Sequence, residues 1–225
     1  MRLDAGTVLR AKAILFDMDG TLIDSTAVAE AVWRRWAARY GLDADEIIRT
    51  SHGRRTIDTA RRFCPPGADP AAEAAWLESE ERHLTDGLRP VPGASPLLQS
   101  LPRDRWAVVT SADRALAVAR FAATGLPLPD VLITADGVQR GKPDPEGYLA
   151  AARRLGVSAP ETIVFEDAPA GLAAGHASGA RVIALATILG PDDLRDEDFI
   201  SDFQGVRFEA LEGDLLVISV TPRRT

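Results

Sequence analysis

A short apolar run, Ala13-Ile14-Leu15, leads straight into Phe16-Asp17-Met18-Asp19-Gly20-Thr21, and this junction constrains the chain more than any other. An apolar stretch that stops on a glycine-bearing acidic turn is a buried strand handing over to a loop. Two carboxylates two residues apart then leave the strand end toward a shared space. One can attack an electrophile while the other handles a proton, the pair that phosphoryl transfer through an acyl phosphate requires. The same letters also suit a plain turn, since Asp and Gly are common turn formers.

Three later segments repeat the design of an apolar strand ending in a reactive residue. Trp106-Ala107-Val108-Val109 ends at Thr110-Ser111, where a hydroxyl and freed N–H groups ahead of a helix can hold a phosphate oxygen. Ser111 or Asp113 equally suits the N-cap of a helix through Ala115 to Ala123. In Gly141-Lys142-Pro143-Asp144-Pro145-Glu146 two prolines stiffen the backbone and Gly141 frees it, so Lys142 is presented from a rigid frame. Such a lysine suits a phosphate counter-charge that also keeps a nucleophile ionised. Asp144 and Glu146 suit the start of a helix near Pro145. Thr162-Ile163-Val164-Phe165 ends in Glu166-Asp167-Ala168-Pro169-Ala170-Gly171. Adjacent acids there suit a hard cation such as Mg2+, or the cap of a helix beginning at Pro169.

Between the first strand and Trp106 lie about ninety residues with helical patterning, far more than an ordinary strand-to-helix connection. Trp33, Trp36 and Tyr40 recur at helical steps, and Gly41 is a suitable stop. Further helices are expected through Asp43 to Arg49, Ile57 to Phe63 and Ala71 to Leu84, with Pro65-Pro66-Gly67 between two of them. Val91-Pro92-Gly93 marks the return. Strands and helices then alternate through Thr162–Phe165 to Val182–Leu185, which predicts a doubly wound α/β fold with a mostly parallel sheet and active residues at the strands' carboxyl ends. The expected division is a core of residues 1–23 and 91–225 with a small all-helical cap of residues 24–90. Val206–Leu211 and Leu215–Val220 flank Gly213-Asp214 as a hairpin.

With acid pair, hydroxyl, lysine and acid pair in this order, the chain resembles the haloacid-dehalogenase-like superfamily over nearly its whole length. The resemblance implies a Rossmann-like core, Asp17 as nucleophile, Asp19 as acid/base, and Thr110 with Lys142 as phosphate binders. It also implies Mg2+ held by Asp17, Asp167, Glu166 and the Asp19 backbone carbonyl. Asp19 points to phosphate esters, because relatives that release a halide keep no acid there. Ser51-His52-Gly53-Arg54-Arg55-Thr56 lies outside the shared motifs and looks like the glycerol-3-phosphate and 2-deoxyglucose-6-phosphate phosphatases, although those relatives carry an apolar or aromatic residue in place of Arg54. Ser111, His52, Arg54 and Arg55 are thereby expected to contact a small sugar or polyol phosphate. Sugar phosphomutases of the β-phosphoglucomutase type are the alternative; they carry a histidine where this chain has Ala29.

Composition narrows the partners. The 225 residues carry a net charge of -7, which favours neither nucleic acid nor an anionic membrane. Cys64 is the single cysteine, so no internal disulfide can form and a cytoplasmic setting is expected. No run approaches the roughly 20 apolar residues of a membrane span. A monomer is the default expectation. D-x-D-G also opens a calcium-binding EF-hand loop, but the glycine and glutamate that loop needs at its sixth and twelfth positions are Leu22 and Val28.

Overall fold

A computed structural model describes residues 1–3 and 6–220 of the chain. Its elements begin with β1 (Thr7–Ala11), β2 (Ala13–Phe16) and β3 (Ile23–Asp24), followed by α1 (Thr26–Tyr40), α2 (Ala44–Ser51), α3 (Thr56–Phe63) and α4 (Pro70–His83). Next come β4 (Arg89–Pro90), α5 (Ala94–Ser100), β5 (Trp106–Val109), α6 (Arg114–Thr124), β6 (Val131–Ile133) and α7 (Glu146–Arg154). The last elements are β7 (Thr162–Glu166), α8 (Pro169–Ser178), β8 (Arg181–Leu185), β9 (Phe199–Ile200), β10 (Val206–Glu212) and β11 (Leu215–Val220).

Six strands form one parallel sheet in the order β6-β5-β2-β7-β8-β9. All residues of β2, β5 and β7 are buried, as expected for central strands covered on both faces by helices. Alternation along β2 sends Phe16 toward α5 and α6 and Leu15 toward α7 and α8. Phe16 stacks on Phe165 at 5.4 Å between centroids, and Phe203 meets both rings edge-on. From β2 the chain builds outward through β5 and β6, then crosses to build β7, β8 and β9 on the other side. The crevice at such a reversal, outside the carboxyl ends of the strands, is where this Rossmann-like architecture takes ligands.

The apolar run at the start of the chain forms β2 as expected; the chain bends at Lys12, and β1 and β2 join different sheets. Lys12 cannot enter a buried strand, because its ammonium faces Glu161 at 2.7 Å and Asp214 at 3.1 Å on the surface. The terminal hairpin forms as expected but is not alone; β1 completes a three-stranded antiparallel sheet with β11 and β10. Its inner residues Leu9, Leu216 and Ile218 join the core around Phe16.

The four helices α1–α4 share an apolar cluster of their own, centred on Val32, Trp33, Trp36, Ile47, Ile48 and Leu77. Asp43 accepts from Asp45 N and Glu46 N to start α2, and Asp69 accepts from Ala71 N ahead of Pro70 to start α4. The chain leaves for these helices and returns along the paired ribbon of β3 and β4. Among the described residues no helix is long and apolar enough to cross a membrane.

Candidate active site

Asp17 follows the last residue of β2, and its N–H still donates to Phe165 O at 2.9 Å. The parallel register therefore carries its side chain beside Glu166 and Asp167 at the end of β7. Lys142 reaches the same point from the loop after β6, hydrogen-bonding Asp17 Oδ1 and, at 2.5 Å, Glu166 Oε1. Asp17, Lys142, Glu166 and Asp167 are 5%, 6%, 0% and 1% exposed, so three carboxylates and one ammonium share a site nearly closed to water.

Glu166 is fully engaged. Oε1 accepts from Lys142 Nζ and from the Tyr148 hydroxyl at 3.0 Å, while Oε2 accepts from the N–H groups of Asp167 and Ala168. A Cβ on Gly171 would stand 1.7 Å from Oε1, so only glycine lets α8 approach this carboxylate. The bonds on Asp17 and Asp167 instead fall on Oδ1, with Thr21 Oγ1 donating to Asp167 at 2.7 Å. Gly20, at φ 82, passes so close that a Cβ would lie 2.1 Å from Asp167 Oδ2.

Asp17, Glu166 and Asp167 present oxygens within 4.8 Å of one another. Burial first, then Glu166, pushes Asp17 and Asp167 well above the usual carboxylate range, with Lys142 pulling against it. Burial also opposes the Lys142 charge, but Asp17 and Glu166 outweigh it and hold the ammonium above its ordinary value. One cation against three buried acids leaves negative charge uncompensated. A divalent cation with oxygen preference fits that donor set.

Asp19 lies apart from this cluster. It accepts from Ser25 Oγ at 2.8 Å and faces the Arg120 guanidinium at 2.6 Å. Thr110 N continues the sheet by donating to Ile133 O at 2.9 Å, and Thr110 Oγ1 accepts from Ala112 N. Asp113, not Ser111, caps α6 by accepting from Leu116 N. Ser111 instead donates to Gly53 O at 2.8 Å. Asp144 Oδ1 accepts from Glu146 N at 3.0 Å and so satisfies the start of α7 as expected, whereas Asp167 stands one residue before Ala168, which precedes α8.

A cleft of about 760 Å³, open mouth included, runs from Asp17, Asp19, Thr110, Ser111 and Asp167 to His52, Gly53 and Arg54. Ala29 lines it as well. Burial holds the His52 imidazole below its ordinary pKa. Arg55 does not reach this cleft. It pairs with Asp58 at 2.7 Å, donates to Gln139 O, and lies against Gly141.

Several residues here escaped sequence reasoning: Thr21, Ser25, Tyr148, Arg120, Glu81, and Thr187, whose hydroxyl donates to Gly20 O at 2.6 Å. One signal was available. Leu116, Ala117, Arg120 and Phe121 share the buried stripe of α6, and an arginine inside an apolar stripe requires a buried partner.

Comparison with known proteins adds a family context. A profile of the haloacid dehalogenase-like hydrolases matches residues 11–179. Hexitol phosphatase A of Escherichia coli is 42% identical over 196 residues, spanning 85% of this chain and 91% of that protein. Glycerol-1-phosphate phosphohydrolase 1 of Saccharomyces cerevisiae is 39% identical over 202 residues, with 84% and 80% covered. Among solved structures, a hydrolase from Pseudomonas syringae superposes with a TM-score of 0.75 at 25% identity, covering 85% of this chain and 94% of that one.

Proposed function

The chain belongs to the haloacid dehalogenase-like hydrolases, and on that footing we propose that it is a Mg2+-dependent phosphatase of a small sugar or polyol phosphate. The observation that carries this reading is the cluster at the switch point: Asp17 held by Lys142, with Glu166 and Asp167 alongside, opening onto a cleft that Thr110 and Asp19 also line. Relatives named as hexitol and glycerol phosphate phosphatases support the substrate class.

Asp17 attacks phosphorus in line and forms an aspartyl phosphate. Asp19 gives its proton to the departing alkoxide oxygen, then takes one from the water that hydrolyses the acyl phosphate. Lys142 and Thr110 face the equatorial oxygens and stabilise the charge developing there. Asp17 and Asp167, with the Asp19 backbone carbonyl, would hold Mg2+, which when bound supplies further charge neutralisation. Glu166 fixes Lys142, and its four hydrogen bonds favour that duty over direct ligation. Residues 24–90 act as a cap over a core of residues 1–23 and 91–225, with His52, Arg54 and Ser111 toward the leaving group. Closing that cap would exclude water from the acyl phosphate.

The test is phosphate release with Mg2+ across hexitol, glycerol and hexose phosphates. We expect turnover with the wild type and none with Asp17→Asn in a folded protein. Conversion of β-glucose 1-phosphate into glucose 6-phosphate without free phosphate would instead establish a phosphomutase.

A further inference from the structure

Arg120 is the one guanidinium among the described residues buried against the proposed acid/base. It projects from α6, is 3% exposed, and divides its two terminal nitrogens between carboxylates from different parts of the fold. Nη1 meets Asp19 Oδ1 at 2.6 Å, in the loop after β2. Nη2 hydrogen-bonds Glu81, which is itself buried and comes from α4. Ser25, directly before α1, donates to the same Asp19 oxygen at 2.8 Å. Burial opposes the Arg120 charge, but Asp19 and Glu81 outweigh it and keep the guanidinium protonated.

We propose that Arg120 is a positioning residue that orients Asp19 for proton delivery to the leaving oxygen, with Glu81 fixing the guanidinium from α4. The assignment rests on the reaction proposed above. A guanidinium fork is planar and rigid, so anchoring one arm on Glu81 sets the direction of the other. A carboxyl group at the end of a loop otherwise explores several rotamers. The chemistry at stake is one proton: as the P–O bond to the leaving group breaks, its electron pair goes to oxygen, which takes the Asp19 hydrogen. Asp17 gains the phosphoryl group and needs nothing from Arg120. Because Glu81 lies on α4, the aim of Asp19 depends on how the helical insert is seated on α6.

Leaving-group dependence separates this role from a general packing role. An alkyl phosphate such as glycerol phosphate leaves as a strongly basic alkoxide and requires the proton; p-nitrophenyl phosphate leaves as a stable phenolate and does not. The value of kcat/KM covers only the steps through loss of the leaving group. For Arg120→Gln, kcat/KM should fall about a hundredfold further for the alkyl ester than for the aryl ester, within the range that general acid catalysis supplies. Arg120→Lys keeps the charge but cannot serve both carboxylates in one geometry, so an intermediate ratio is expected. In an Asp19→Asn background Arg120→Gln should change the ratio no further, because the two residues act as one unit. If Arg120→Gln fails to fold, Arg120→Met/Glu81→Gln removes the stranded carboxylate, and the same change in ratio is expected. Equal losses on both esters, or no loss on either, in an otherwise active enzyme would overturn the assignment alone. Wild-type protein that releases phosphate from neither ester would overturn the underlying reaction and this assignment with it.

Discussion

Ser111 donates its hydroxyl hydrogen to the backbone carbonyl of Gly53 across 2.8 Å. The bond ties the turn after α2 to the loop that follows β5, close to Thr110. At this turn the helical insert comes so near the sheet edge that a Cβ on Gly53 would lie 2.8 Å from the Ala168 methyl.

Gly53 has φ 73 and Gly41 has φ 65, yet only Gly53 is crowded; around Gly41 the space is open. Alanine at either position should cost about 1–2 kcal/mol of stability for a left-handed backbone. Gly53→Ala should in addition raise KM severalfold by lifting the turn off Ala168, while Gly41→Ala should leave KM alone. Urea denaturation and steady-state kinetics on the two variants check both halves.

Saturating Mg2+ should raise the thermal midpoint of the wild type, because a ligand that binds only the folded state stabilises it by mass action. Chelation should reverse the rise. Asp167→Asn should abolish it, and so should Gly20→Ala, whose methyl would lie 2.1 Å from Asp167 Oδ2 and displace that carboxylate. Scanning calorimetry with and without chelator reads the difference. An unchanged midpoint in the wild type would remove the cation from this cluster.

Lys142 and Tyr148 both bond Glu166 Oε1, but they should fail differently. Lys142→Met removes the one cation that pairs with Asp17 among the described residues and should lower kcat by about 10²–10³-fold. Tyr148→Phe leaves Lys142 in place and costs one hydrogen bond to a buried carboxylate, about 1–3 kcal/mol of stability. Its kcat should fall far less than that of Lys142→Met. Phosphate-release kinetics paired with denaturant titration separates the two.

Much of this site could be read in the sequence because its residues sit at strand ends, where a local apolar run announces the position. Asp17, Thr110 and Asp167 each follow such a run, and Lys142 is framed by Gly141 and Pro143. Tyr148 and Glu81 were invisible for the opposite reason. Each lies within a helix, away from any strand end, and its partner is 18 or 39 residues away. The pairing of β1 with β11 was equally hidden, since it joins Thr7 to Val220. Arg55 was expected near substrate by its neighbours in the chain; the structure pairs it with Asp58, three residues on, away from the cleft lining.

Stability should also carry a pH signature from the contact of α4 with α6. Burial, then the Asp113 carboxylate, pushes Glu78 up to about 7 from an ordinary 4.5, against the pull of Arg82. Between those values the folded chain holds a proton that the unfolded chain has released. The associated stabilisation is complete below 4.5 and lost as pH rises through about 7. Glu78→Gln should flatten this part of the curve of thermal midpoint against pH. A mutant curve parallel to the wild-type one would exclude Glu78 as its source.

Asp17, Thr110 and Asp167 follow three hydrogen-bonded neighbours, β2, β5 and β7, so strand alignment acts as the ruler for the chemistry. Sliding any of them by one residue would move its tip about 3.3 Å along the sheet and turn its side chains to the opposite face. A misaligned chain could keep its helix content and much of its burial yet release no phosphate. Catalytic turnover in this protein is thus a sensitive gauge of β-register during refolding, reporting errors that circular dichroism would miss.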